Sequence, residues 1–265
     1  MNTETIGAQA SAAPDNPKIR AGWGVVLLAS FMRLGLLTIT QVALFVAFRW
    51  AGSGHPWGAA LSYANFYTSI PVDLVTLLVL AWLLRREGRH LGDLIGFERR
   101  RLGKDLLIGL GVFILLYAVF TAGSLLGALA AYGPAAFSSR GSGHLAGYAP
   151  PLWVFWWSTI VLPLGVGFAE ELTYRGYLLP RLAGLTGATS LGVLLSSLAF
   201  GLQHVALPLI GVQVAISRVI PTFLAGLVLA LLYVRLKRLV PLIVGHWLLD
   251  FLALGLLPLL AVLRG

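Results

Sequence analysis

The sequence predicts an all-α, polytopic integral membrane bundle of about seven transmembrane helices, and three observations lead to it. Hydrophobic residues make up 58% of the 265 and charged residues only 11%, against about 25% charged in soluble domains; mean hydropathy is +0.87. Apolar runs long enough to cross a bilayer recur along most of the chain. The positive charge collects in short polar breaks between those runs, as topology-setting loops require. The net charge of +9 therefore answers to anionic lipid headgroups rather than to nucleic acid. The absence of cysteine excludes disulfides, thiolate metal sites and a cysteine nucleophile.

Residues 1–20 are polar and small, with Pro14 and Pro17, and are expected to form a disordered cytoplasmic lead. Residues 21–265 are expected to form one membrane domain. The first apolar run, Ala21 to Phe48, is too long for the core of a cleaved signal peptide and is read as the first helix. Arg33 interrupts it, and Asp73 in the second helix (Leu61 to Leu84) is the candidate partner for a structural ion pair. Arg85, Arg86, Arg89, Arg99, Arg100, Arg101 and Lys104 follow and assign that loop to the cytoplasm. In the third helix (Asp105 to Ala131), Gly123 and Gly127 stand at a spacing that allows close helix packing. The loop to Pro150 has Arg140 as its one cation and falls outside; His144 within it reads as an exposed loop residue. Pro151 to Ala169 is nineteen residues without a formal charge, carrying Trp153, Trp156 and Trp157. It is the fourth helix, returning inward. A small-residue turn near Gly184 to Gly187 leads to a fifth crossing that continues past His204 toward Arg218. The sixth ends at Arg235, Lys237 and Arg238, and the seventh runs outward from Val240 to Leu263. Seven crossings with the N-terminus inside satisfy every basic cluster at once.

Three polar points break this pattern. Glu170 and Glu171 end the fourth apolar run; Glu171 and Arg175 stand at i,i+4 and pair across one helix face, which leaves Glu170 free. Phe200 and His204 share a face at the same spacing, as do His246 and Asp250. Counted from the turn, Glu170 lies 16 residues before Thr186 and His204 18 after it, so a hairpin brings the two to one level. A lone membrane histidine is as well explained by a helix–helix hydrogen bond; two of them beside a free glutamate point to a site. The site is expected about 10 Å inside the cytoplasmic face. A carboxylate beside two imidazoles suits hydrolysis: Glu170 deprotonates water, His204 helps hold it, and His246 with Asp250 orients it or stabilises the developing charge. Two histidines and a glutamate also match a zinc ligand count, so Glu170, His204 and His246 leave open a bound divalent metal. No HExxH is present, and Ser196 and Ser197 lack a nucleophile-elbow context. No certain cofactor follows.

Glu170-Glu171-x-x-x-Arg175, Phe200-x-x-x-His204 and His246-x-x-x-Asp250, in that order and each on a membrane helix, resemble the motifs of the CPBP intramembrane proteases. These comprise the CAAX prenyl endopeptidases and bacterial relatives of bacteriocin processing or immunity, the Abi family. The likeness covers about 151–250. It implies a peptidase of a bacterial cytoplasmic membrane, with Glu170 activating water, the motif histidines at His204 and His246, and the last polar position, often Asn in the family, at Asp250. The implied partner is a membrane-associated peptide or protein substrate; the prenylated substrate is not carried over. Two rivals share the same polar residues. One is a non-catalytic membrane immunity or scaffold protein. The other is a proton-coupled transporter, against which the lack of a visible repeat weighs.

Overall fold

The computed structural model describes residues 22–137, 151–206 and 211–264. The N-terminal lead, His144 and Arg140 lie outside the described residues. Among the described residues every regular element is helical, as the composition requires of a bilayer-spanning chain. The elements are α1 (Trp23–Trp50), α2 (Pro56–Ser62), α3 (Ala64–Arg86), α4 (Leu91–Ile95), α5 (Leu102–Tyr132), α6 (Leu152–Ile160), α7 (Leu162–Thr186), α8 (Thr189–Gln203), α9 (Val212–Leu236) and α10 (Val240–Leu263). By length and composition α1, α3, α9, α10 and the stretch around α5 can each cross a membrane, and α6 with α7 makes a sixth span if the pair is taken together. The seventh expected crossing would be α8, whose 15 residues fall short of the roughly 20 a perpendicular span needs.

Three expected helices are interrupted. In α3 the backbone leaves helical geometry at Ile70 (φ −140°, ψ 113°), immediately before Pro71, whose missing N–H and ring break the ladder. The fourth run bends by 45° between α6 and α7, where Pro163 sits in the first turn of α7. Past Glu170, α7 widens to i→i+5 bonding over Glu171–Leu178, a local unwinding frequent at functional sites. The same widening follows Asp250, over Phe251–Leu256.

The fifth crossing does not continue past His204. Helix α8 stops at Gln203, and a separate helix carrying Arg218 begins at Val212. The expected turn is present: α7 closes at Thr186, Gly187 adopts the left-handed conformation (φ 71°) and α8 starts at Thr189, a capping geometry that glycine takes without strain. Helix α8 packs back on α7 and across α9, while α9 and α10 both pack on α5. Small residues permit these approaches. A Cβ on Gly123 would stand 2.8 Å from Pro221 Cα and one on Gly127 3.0 Å from the Ser217 carbonyl, so the spacing seen in the sequence is the α5–α9 contact. Gly109 and Gly245 do the same for α5 and α10.

Polarity is inverted relative to a soluble domain. Leu107, Ile39, Ile114 and Leu78 are exposed on the outside, and Arg33, Asp73, Glu170, Glu171, Arg175, His246 and Asp250 are buried. Such a surface suits lipid, and such an interior marks a polar site. At one end of the bundle Arg238 pairs with Glu98 (3.1 Å) and with Asp105, which brings the two basic clusters of the sequence to the same side.

Candidate active site

The widened turn of α7 holds the first half of the site. Glu171 Oε1 accepts a hydrogen bond from Arg175 Nη1 at 2.8 Å, the i,i+4 pair expected. Arg175 also donates through Nη2 to the Gly226 carbonyl of α9 (3.1 Å) and lies 4.4 Å from the Phe200 ring centroid. With both groups almost wholly buried, this pair fastens α7 to α8 and α9. A buried pair of this kind is costly to break from either side.

Glu170 is not free, contrary to the expectation that only one of the two acids is tied down. Its Oε1 accepts two hydrogen bonds, from Arg33 Nη2 and from Gln203 Nε2, both 3.0 Å. Arg33 reaches Asp73 as well, through Nη1 at 2.7 Å. The structural ion pair expected between Arg33 and Asp73 therefore exists, but the same guanidinium also grips the candidate base. Glu170 Oε2 faces His246 Nε2 at 3.7 Å, too long for a direct hydrogen bond and close enough for one water to touch both.

His246 comes from the first half of α10, which packs on α7. Its partner is not the one the i,i+4 spacing suggests. Nδ1 lies 2.9 Å from Glu171 Oε1, so Nδ1 carries the proton it donates and Nε2 is turned toward Glu170 and Asp250. Asp250 Oδ2 stands 3.6 Å from that Nε2 and, among the described residues, has no hydrogen-bond partner, although it is buried. Asp73 Oδ2 and Glu171 Oε2 are likewise buried without a partner among the described residues, the former 3.2 Å from where a Cβ on Gly165 would sit. Three such carboxylate oxygens point to bound water in this part of the bundle.

His204 caps α8. Its Nδ1 donates to the Phe200 carbonyl at 2.9 Å, and it stands within electrostatic reach of Glu170, Arg33 and His246. Phe200 is the hub of the cluster: its ring meets Tyr174 edge-on at 5.3 Å, His204 at 5.3 Å and His246 at 6.0 Å. Ser196 and Ser197 are buried and both hydroxyls bond back to the Val193 carbonyl, which leaves neither poised as a nucleophile.

All seven residues singled out in the sequence thus meet in one region where α7, α8 and α10 converge. Arg33 and Gln203 were not anticipated as partners of Glu170. A buried Arg in a membrane helix is a signal in itself, but nothing in its spacing says which of several acids it will meet. Among the described residues no three His, Asp or Glu side chains are grouped to hold a metal ion, and the Arg33 guanidinium lies against Glu170 Oε1.

No curated protein and no solved structure matches the chain. One family model does, over residues 151–252, which takes in α6 to the first half of α10 and with them all three motifs. That model is described as type II CAAX prenyl endopeptidase Rce1-like, and the CPBP likeness read from those motifs agrees with the match.

Proposed function

We propose that the chain is an intramembrane endopeptidase that hydrolyses a peptide bond of a membrane-associated protein or peptide near the cytoplasmic face. The observation that carries this is the division of labour on one carboxylate: Glu170 Oε1 is held by two donors, and Oε2 faces His246 Nε2 across 3.7 Å.

A water seated between Glu170 Oε2 and His246 Nε2 would lose one proton to Oε2 as its oxygen attacks the scissile carbonyl carbon. The carbonyl π bond becomes an oxyanion. A doubly protonated His204 or His246, its Nδ1–H already committed within the protein, would present an Nε2–H to that charge in a buried region, where such stabilisation is strongest. Collapse of the tetrahedral species breaks the C–N bond, and the proton held on Glu170 passes to the leaving amine. The products are a carboxylic acid and an amine, which exchange the remaining proton to leave a carboxylate and an ammonium, and Glu170 is regenerated. Glu171 holds the tautomer of His246 by accepting from Nδ1, and Arg175 holds Glu171. A scaffold or immunity protein needs none of this asymmetry around one carboxylate.

The test is cleavage of a peptide library, read by mass spectrometry, by the full chain purified in detergent and returned to liposomes. Wild type should cut a defined subset, and Glu170→Gln and His246→Ala should not. A wild-type protein that cuts nothing, beside variants that cannot be told from it in the cell, would leave the non-catalytic membrane role standing.

A further inference from the structure

The strongest grip on Glu170 comes from outside the matched region. Arg33 sits in the middle of α1 and is wholly buried. Its guanidinium spends three nitrogens on partners from three helices: Nε donates to Gln203 Oε1 (2.8 Å), Nη1 to Asp73 Oδ1 (2.7 Å) and, at 3.5 Å, to Thr76 Oγ1, and Nη2 to Glu170 Oε1 (3.0 Å). Gln203 closes the ring by donating its own Nε2 to the same Glu170 oxygen. Both donors converge on Oε1 and none reaches Oε2. A buried charge is expensive in a membrane helix, and a buried ion pair adds little net stability over apolar side chains of similar volume. An arginine kept here despite that cost is better explained by what it orients than by what it stabilises.

We propose that Arg33 is a positioning residue for the hydrolytic reaction. It fixes the rotamer of Glu170 so that Oε2 alone is presented to water, and it sets a fixed positive charge against Oε1. This rests on the reading of Glu170 as the base. Helix α1 is then an arm of the active site, and Asp73 and Gln203 act through Arg33. A lysine cannot replace it: one ammonium has the charge but not the planar fork that reaches three acceptors at fixed angles.

The experiment compares Arg33→Lys, the paired Arg33→Gln/Asp73→Asn variant and Glu170→Gln with wild type, all as full chains in liposomes and with one peptide that wild type cleaves. The paired variant removes the cation together with one counter-anion, so it does not strand Asp73 as a buried charge. Thermal unfolding reports whether each variant is folded, and rates are normalised to folded protein. The expected result is a fall in kcat of about 100-fold for the paired variant, with KM within about twofold, the size of loss that misplacing a catalytic group produces. Arg33→Lys should lose about tenfold, because charge without the fork restores only part of the alignment. A purely structural arginine would instead lower the unfolding temperature and the folded yield while folded molecules turned over at the wild-type rate. Wild-type kcat in folded Arg33→Lys, or in the folded paired variant, overturns the proposal. Wild-type kcat in Glu170→Gln overturns the reading of Glu170 as base. A dead Glu170→Gln beside fully active Arg33 variants removes the role of Arg33 alone.

Discussion

His246 Nδ1 lies 2.9 Å from Glu171 Oε1, although Glu171 is 75 positions away in the chain and Asp250, one helical turn from His246, comes no nearer its ring than 3.6 Å. The acid that decides which nitrogen of His246 faces the reaction thus stands next to the candidate base, on the same turn of α7. A single residue, Glu171, orients the histidine and anchors Arg175.

Glu171→Gln tests that double duty. The change leaves Arg175 buried without its counter-ion, and loss of one partner of a buried pair costs about 3–5 kcal/mol. Reversible unfolding in mixed micelles measures it. Cleavage should fall in the protein that remains folded, because an amide can present its N–H to Nδ1 and so favour the wrong tautomer of His246.

His246→Ala should lower kcat by about 10²–10⁴-fold, the range for losing a group that positions or moves a proton in the transition state. His204→Ala should cost activity too, with little loss of stability, since the side-chain hydrogen bond it makes among the described residues is to the carbonyl of its own helix. Steady-state kinetics and unfolding on the same preparations separate the two effects. A His204→Ala enzyme that is unstable and fully active would assign that residue to packing.

Exhaustive chelation should leave cleavage intact. Glu170 Oε1 already accepts from Arg33 and Gln203, and among the described residues no three His, Asp or Glu side chains are grouped to hold an ion. Metal analysis of the purified chain, run beside the cleavage assay before and after chelator, is the measurement. Loss of activity restored by adding back zinc would reverse the assignment.

Gly109→Ala and Gly245→Ala should each destabilise the protein by about 1–3 kcal/mol, the usual cost of forcing atoms into a packed contact. A Cβ at Gly109 would lie 2.6 Å from Val244 Cγ1, and one at Gly245 2.5 Å from Val112 Cγ1. Gly111→Ala is the control, for its Cβ meets nothing within 4 Å and alanine is the better helix former. The same contact carries α10, so the two destabilised variants should also lose activity through a displaced His246.

Much of the site was legible because its residues follow helical spacing. The Glu171–Arg175 pair and the Phe200–His204 face are i,i+4 relations, settled within one helix whatever surrounds it. The hairpin arithmetic that levelled Glu170 with His204 also held: Gln203, the next residue, is the one that bonds Glu170. The freedom assigned to Glu170 failed because it counted partners along α7 only, and Arg33 arrives from a helix 137 positions earlier. The continuous fifth crossing failed in a similar way. Apolar composition continues past His204, and hydropathy does not mark where one helix ends and a second begins.

The sequence by itself determined that the chain is a bundle of membrane helices, which polar residues interrupt them, and which of those share a helix face. Composition and a period of about 3.6 residues are enough for that, because both act within one segment. Only the tertiary structure decided that Arg33 holds Glu170, that Glu171 rather than Asp250 orients His246, and which carboxylate oxygen is left facing the histidine. Those relations depend on how helices cross and rotate against one another, and close packing through small residues sets that geometry, which no local pattern encodes.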